Sequence, residues 1–195
     1  MNFDVQKLLW IHKPKKFLIE KNKIEIQTEP KTDFWQRTYY GFQNDNAPAL
    51  LMETKEQFFS FTVKADFCYK HRFDPCGIII YQDSENWAKA SIEYENNDFQ
   101  KLGSVVTNYG YSDWATTDIN SSVKTMYYRI SRRKNDFRFE NSLDGKKFNQ
   151  MRIFHLFDVS NSVKFGIYAC SPENSSFTAV FTQMELTDCK WETHK

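Results

Sequence analysis

Trp87, Lys89, Ser91, Glu93 and Glu95 recur at every second position of one segment, interleaved with Ala88, Ala90, Ile92 and Tyr94. A period of two is that of a β-strand, in which alternate side chains share a face. One face is therefore apolar and belongs to a core; the other carries an indole plane, an ammonium and carboxylates. If that second face lines a hollow, a flat ring beside opposed hydrogen-bonding charges suits a polar ligand with an apolar side, above all a sugar. On an outer face the same residues would make an ordinary solvated Lys–Glu pair of little energetic weight.

Two further segments, Thr32-Asp33-Phe34-Trp35-Gln36-Arg37 and Tyr111-Ser112-Asp113-Trp114, set an Asp close to a Trp at a strand edge. Each pairs a fixed acceptor with a stacking plane, the alternative being an Asp that caps a turn beside a Trp anchored in the core. Arg129 shares a strand face with Tyr127 and Ser131, and either projects towards the same hollow or pairs with an acidic neighbour. The candidate ligand-binding set is thus Asp33, Trp35, Trp87, Lys89, Glu93, Asp113, Trp114 and Arg129. Glu93 and Glu95, two strand steps apart, would have Cα atoms about 6.8 Å apart, within reach of glycoside-cleaving geometries. Against acid catalysis, Lys89 is expected to hold Glu93 ionised.

Other chemistries lack their signals. No Gly-rich phosphate loop, His-Glu-x-x-His, Gly-x-Ser-x-Gly elbow or EF-hand loop occurs, and the six glycines are isolated. His12, His71, His155 and His194 share no ligand spacing, so neither a metal nor a cofactor is expected. Lys plus Arg (26) almost cancels Asp plus Glu (25), which leaves no general field to draw nucleic acid. No apolar run is long enough to span a bilayer, and the N-terminus lacks a signal-peptide pattern, so a cytoplasmic chain without a membrane partner is expected. Cys68, Cys76, Cys170 and Cys189 are scattered and read as reduced structural thiols. Oligomeric state is not legible.

These side chains must be positioned by strands. Aromatic residues make up 17% of the chain, and they favour strands and fill inter-sheet cores. Alternation recurs throughout: Ile24 with Ile26; Phe59, Phe61, Val63, Ala65 and Phe67 opposite Ser60, Thr62, Lys64 and Asp66; and segments 34–42, 76–82, 87–95, 102–109, 123–132, 136–142, 163–170 and 177–187. Asp144-Gly145 predicts a tight hairpin between Phe139 and Phe148. Ten or eleven strands without an intervening helix predict two stacked antiparallel sheets, an all-β sandwich of jelly-roll type. With no repeat or linker, residues 1–195 read as one domain.

An ordered series of motifs points to a family: Thr32-Asp33-Phe34-Trp35, Phe73-Asp74-Pro75-Cys76-Gly77-Ile78, Trp87-Ala88-Lys89-Ala90-Ser91-Ile92-Glu93, Val105-Val106-Thr107 with Ser112-Asp113-Trp114, Tyr128-Arg129-Ile130-Ser131-Arg132, Ser142-Leu143-Asp144-Gly145, Arg152, and Gly166-Ile167-Tyr168-Ala169-Cys170-Ser171-Pro172 before Phe177 and Phe181. In this order the chain, from about Trp10 to Phe181, resembles the family typified by the regulation-of-enolase protein. The resemblance implies a concanavalin A-like jelly roll with a pocket on its concave face, and no activity. One departure is the second motif, where Pro75 and Cys76 replace the family's Gln and Ala. Three functions remain in competition: a non-catalytic module holding a saccharide or small polar metabolite, a glycoside hydrolase or lyase using Glu93, and a regulatory protein-interaction domain.

Overall fold

The computed structural model describes residues 3–69, 71–157, 159 and 161–192; His194 lies outside them. After one 3-10 turn at Val5–Lys7, the chain forms strands Leu9–Ile11 (β1), Phe17–Glu20 (β2), Lys23–Gln27 (β3), Phe34–Gln36 (β4), Gln43–Asp45 (β5), Ala49–Thr54 (β6), Phe58–Asp66 (β7) and Pro75–Asp83 (β8). It continues with Asn86–Tyr94 (β9), Phe99–Asn108 (β10), Tyr111–Asn120 (β11), Thr125–Arg133 (β12), Asp136–Ser142 (β13), Asn149–His155 (β14), Val163–Ala169 (β15) and Thr178–Thr187 (β16).

Two seven-stranded antiparallel sheets make the sandwich. The first has the order β1-β6-β15-β8-β9-β10-β11, the second β14-β13-β12-β7-β16-β3-β2, and β4-β5 is a separate hairpin. Alternation dictates what lies between the sheets. Phe59, Phe61, Val63 and Ala65 of β7 meet Ile78 and Ile80 of β8, Ala88, Ala90 and Ile92 of β9, and Phe165 and Ile167 of β15 in one apolar core.

The first sheet is apolar on its other face as well. Leu51, Ile79, Tyr81, Trp87, Val105, Tyr168 and Cys170, each out of phase with the inter-sheet residues of its own strand, form a second cluster with Phe34 and Trp35 of the hairpin and with Ala47 and Ala49. This double burial explains why β8 reads as the nearly unbroken apolar run Cys-Gly-Ile-Ile-Ile-Tyr rather than as an alternating strand. The segment 28–48, laid over the first sheet, is its cover. It is tied down where Thr32 N donates to Ser171 O and Ser171 N donates to Thr32 Oγ1, both at 3.1 Å.

Three expectations about elements change. The predicted strand 34–42 is a strand only over Phe34–Gln36, because Arg37, Tyr39 and Gly41 all take left-handed backbone conformations that break the pairing. β1, β2, β5, β6, β11 and β14 match none of the expected segments, and within Asn108–Asp113, where Asn, Gly, Ser and Asp suggest a separating turn, only Tyr109-Gly110 turn before the ten-residue edge strand β11 begins. The Asp144-Gly145 segment does join a hairpin, β13 to β14, but through a longer loop in which Gly145 has φ +71°. There the Asp144 carboxylate accepts the backbone N–H groups of Lys146 and Lys147, which with Ser142 hold its pKa down to about 2.

Candidate functional site

The cover over the first sheet is incomplete. Where it ends, a cavity of about 180 Å³ opens, lined by Asp33, Trp35, Tyr40, Phe42, Phe73, Lys89, Glu93, Val105, Trp114 and Pro172. Strand register explains part of this grouping. Lys89 of β9 lies opposite Val105 of β10, and Val105 lies opposite Trp114 of β11, so the three stand in one row across the sheet. Glu93 follows Lys89 by four residues on the same face, beside the turn that carries Phe73.

Lys89 is the least expected resident, because its side chain is only 3% exposed. Its Nζ donates to Asp33 Oδ1 at 3.1 Å and lies 5.6 Å from the Tyr168 ring centroid and 5.9 Å from that of Trp87. Burial disfavours the ammonium, but the Asp33 carboxylate above all, with Cys170 and Glu93, outweighs it and raises the pKa above 10.5. Asp33 is itself fixed by its neighbours. Its Oδ1 also accepts Phe34 N at 2.7 Å, and its own backbone N–H donates to Asn46 Oδ1 at 2.9 Å.

Glu93 is in the opposite condition. Among the described residues no hydrogen bond or ion pair reaches its carboxyl. Burial pushes its pKa up to about 7; Lys89 opposes the shift, while Asp33 and Glu95 add to it. The expectation that Lys89 keeps Glu93 ionised is thus overturned: the ammonium is turned to Asp33. Glu95 does not join Glu93 to make a carboxylate pair. It falls beyond the end of β9 and is held by Arg72 at 2.6 Å.

The walls are aromatic and braced. Trp35 packs edge-on against Trp114 and Tyr40, with ring centroids 6.3 and 5.5 Å away, and Tyr40 stacks on Phe42 at 5.5 Å. Trp35 Nε1 donates to Thr38 O at 3.1 Å. The loop between β4 and β5 is clamped at its base by Arg37, which donates to both Glu85 carboxylate oxygens at 2.9 and 3.0 Å and to Gly110 O at 2.8 Å. Glycine suits position 110: its φ of +73° strains other residues, and a Cβ would stand 1.8 Å from Arg37 Nη1 and 2.1 Å from Glu85 Oε2, displacing the ends of the two side chains that form the clamp. Phe73 and Tyr39, bulky residues with φ of +64° and +62°, hold conformations that cost energy unless their surroundings impose them.

Of the eight residues expected at a site, Asp33, Trp35, Lys89, Glu93 and Trp114 line this one cavity. Three do not. Trp87 lies on the expected face, but the hairpin closes over it: its ring is 0% exposed, 5.7 Å from that of Phe34, and its Nε1 donates to Ser84 O. It cannot stack on a ligand. Arg129 is in β12 of the other sheet, bonded to both oxygens of Glu140 at 2.6 and 2.8 Å and lying 4.0 Å over the Phe148 ring. Asp113 points to the opposite face from Trp114 and pairs with Arg152 at 2.5 Å.

Tyr40, Phe42, Phe73, Val105 and Pro172 were not anticipated as lining. Phe73 and Pro172 stood in the quoted motifs, and the run Tyr39-Tyr40-Gly41-Phe42 was a legible signal once read as a Gly-containing loop rather than a strand. Among the described residues no three His, Cys, Asp or Glu side chains converge to hold a metal.

The family model described as "Protein of unknown function (DUF1349)" matches residues 10–189. The chain belongs to the DUF1349 family. The chain is 32% identical over 186 residues to the protein named "Regulation of enolase protein 1" of Saccharomyces cerevisiae, covering 95% of this chain and 92% of the relative. A crystal structure of a functionally unknown protein from Saccharomyces cerevisiae superposes with a TM-score of 0.88 at 31% identity, over 95% of this chain and 98% of that one. The GH43 protein BlXynB from Bacillus licheniformis gives a TM-score of 0.72 at 15% identity, over 93% of this chain but 37% of the other. This DUF1349 chain thus shares a jelly-roll sandwich with part of a much longer protein, a likeness of fold alone.

Proposed function

We propose that the chain is a binding module whose cavity holds one saccharide unit or a similarly small polar metabolite. The observation that carries this reading is the convergence of Asp33, Lys89 and Glu93 at the base of a cavity walled by Trp35, Tyr40, Phe42, Phe73 and Trp114. Aromatic planes stack on the apolar face of a sugar ring while charged groups bond its hydroxyls. The volume, about 180 Å³, suits a single small ligand rather than an extended one. The Arg37 clamp at the base of the β4–β5 loop supports a wall formed in advance of the ligand, which would lower the entropic cost of binding.

A thermal-shift screen of monosaccharides and small polar metabolites tests this. A ligand at about 100 times its Kd stabilises the fold by roughly 2.7 kcal/mol, a rise of some 5–10 °C for a chain of this size. The shift is expected to vanish in a folded Trp114→Ala protein. A panel without a single shift would remove the proposal.

A second reading makes Glu93 an acid or base in a glycoside hydrolase or lyase, favoured by its pKa of about 7. It predicts that Glu93→Gln binds a sugar but turns nothing over. A regulatory interaction, in keeping with the yeast relative's name, would use the exposed rim instead, where Tyr39 is 92% exposed.

A further inference from the structure

Charge accounting at the base of the cavity specifies the ligand more narrowly. Lys89 and Asp33 neutralise one another at 3.1 Å, and the ammonium is turned away from solvent. Every other charged group near the base except Glu93 and Asp74 has a partner: Glu95 is held by Arg72, and Lys101 of the neighbouring strand by Asp118. Behind Phe73, the fully buried Asp74 accepts from Ser175 at 2.7 Å, while its second oxygen has no partner. What remains facing the cavity is one carboxyl without a counter-ion, that of Glu93, surrounded by five aromatic side chains.

Ring faces are the negative ends of aromatic quadrupoles and attract cations, most strongly where water is excluded. The protein's own cations already behave this way beside the cavity. Lys89 sits against Trp87 and Tyr168, and Arg72 lies 4.5 Å over the ring of Phe73. A neutral sugar could bond the carboxyl through its hydroxyls but would supply no counter-charge, and an anion would meet Glu93 without gaining Lys89.

We infer that the cavity selects a small organic cation, so that among saccharides it takes an amino sugar and places the ammonium group against Glu93 within the aromatic walls. This rests on the binding reading above and narrows its ligand class. The proton balance is explicit. A bound ammonium favours the ionised carboxylate, so Glu93 gives up its proton to solvent when the ligand enters. The titratable groups whose charges influence it are Lys89 on its own strand, Glu95 just beyond, Asp33 across the cavity, Lys101 on β10, Tyr168 and Cys170 at the end of β15, and, through the sheet, Tyr128 on β12. Of these, none offers a second free cation. A Glu93 pKa of about 7 makes roughly half a proton leave per ligand bound at neutral pH.

The test pairs probes that differ only in charge. Calorimetric titrations compare choline with 3,3-dimethylbutan-1-ol, and glucosamine with glucose just below neutral pH, where the amine is protonated. The expected result is at least about tenfold tighter binding of each cation. Repeating the choline titration in two buffers of different ionisation enthalpy should reveal proton release from the native protein. Glu93→Gln should reduce the cation preference to about threefold or less and abolish the release. Equal affinity for glucose and glucosamine, or a preference for galacturonate, overturns the cation inference and leaves the binding module standing. Cation preference without proton release, or undiminished in Glu93→Gln, also overturns it. If neither these probes nor the wider monosaccharide panel bind, both readings fall together.

Discussion

Phe61 and Trp35 belong to two apolar clusters on opposite sides of the same sheet, and the two clusters are closed in different ways. Phe61 is fully buried between two seven-stranded sheets, stacked on Phe3 at 5.1 Å and tilted against Phe165 at 5.3 Å. Trp35 sits under a short hairpin and a loop, next to an opening where charged groups appear. A sheet covers its neighbour with regular, interdigitating side chains and leaves no room for a ligand. A loop covers irregularly, tolerates left-handed residues such as Tyr39, and ends before the strands beneath it do. The cavity exists because one sheet face was given the second kind of cover.

The sharpest test of that contrast is a truncation on each side. Phe61→Ala is expected to cost about 3–5 kcal/mol in urea unfolding without altering ligand preference in the protein that remains folded. Trp114→Ala, at the partly covered rim, should abolish the ligand shift at a much smaller cost in stability. If Phe61→Ala cost under about 1 kcal/mol, the inter-sheet core would not be the rigid partner in the comparison.

The next effect concerns a charge that only the loop-covered side contains. Because the native Glu93 pKa lies at about 7 and its ordinary value is 4.5, the folded chain binds more protons than the unfolded chain between those limits. The contribution of this group to stability is therefore greatest below about pH 4.5 and declines as pH rises through 7. Glu93→Gln should remove that part of the slope and leave the variant more stable above pH 7 by about 2 kcal/mol, allowing for the carboxyl's partial contact with water. Unfolding curves at pH 5 and pH 8 check it, and a variant less stable at both would show that Glu93 holds the fold rather than strains it.

The fold was legible because alternation is a local property. In β7, Phe59, Phe61, Val63 and Ala65 declare their face without reference to anything distant. The candidate site was legible only where the same rule reached it. Period two placed Lys89 and Glu93 together on the face that lines the cavity, and it placed Trp87 there too. Whether that face was open above each residue depended on Phe34, more than fifty positions earlier, folding over the indole. The same non-local choice turned Lys89 to Asp33 instead of Glu93. Arg129 failed for a related reason: its own strand periodicity was right, but nothing local told which of the two sheets it belonged to, and Glu140 on the adjacent strand claimed it.

Asp113 isolates this lesson in the smallest expected effect. It precedes Trp114 directly, and adjacency in sequence made the two look like one recognition motif. In a strand adjacency means opposite faces, so only Trp114 reaches the cavity. The Asp113 side chain is 69% exposed, and its pairing with Arg152 belongs to the edge between β11 and β14. Exposed ion pairs contribute little, so Asp113→Ala should change stability by no more than about 0.5 kcal/mol and leave ligand-induced stabilisation intact. Loss of that stabilisation would mean that a residue on the far face governs the cavity, and the distinction drawn between the two sides of the sheet would then fail at its edge.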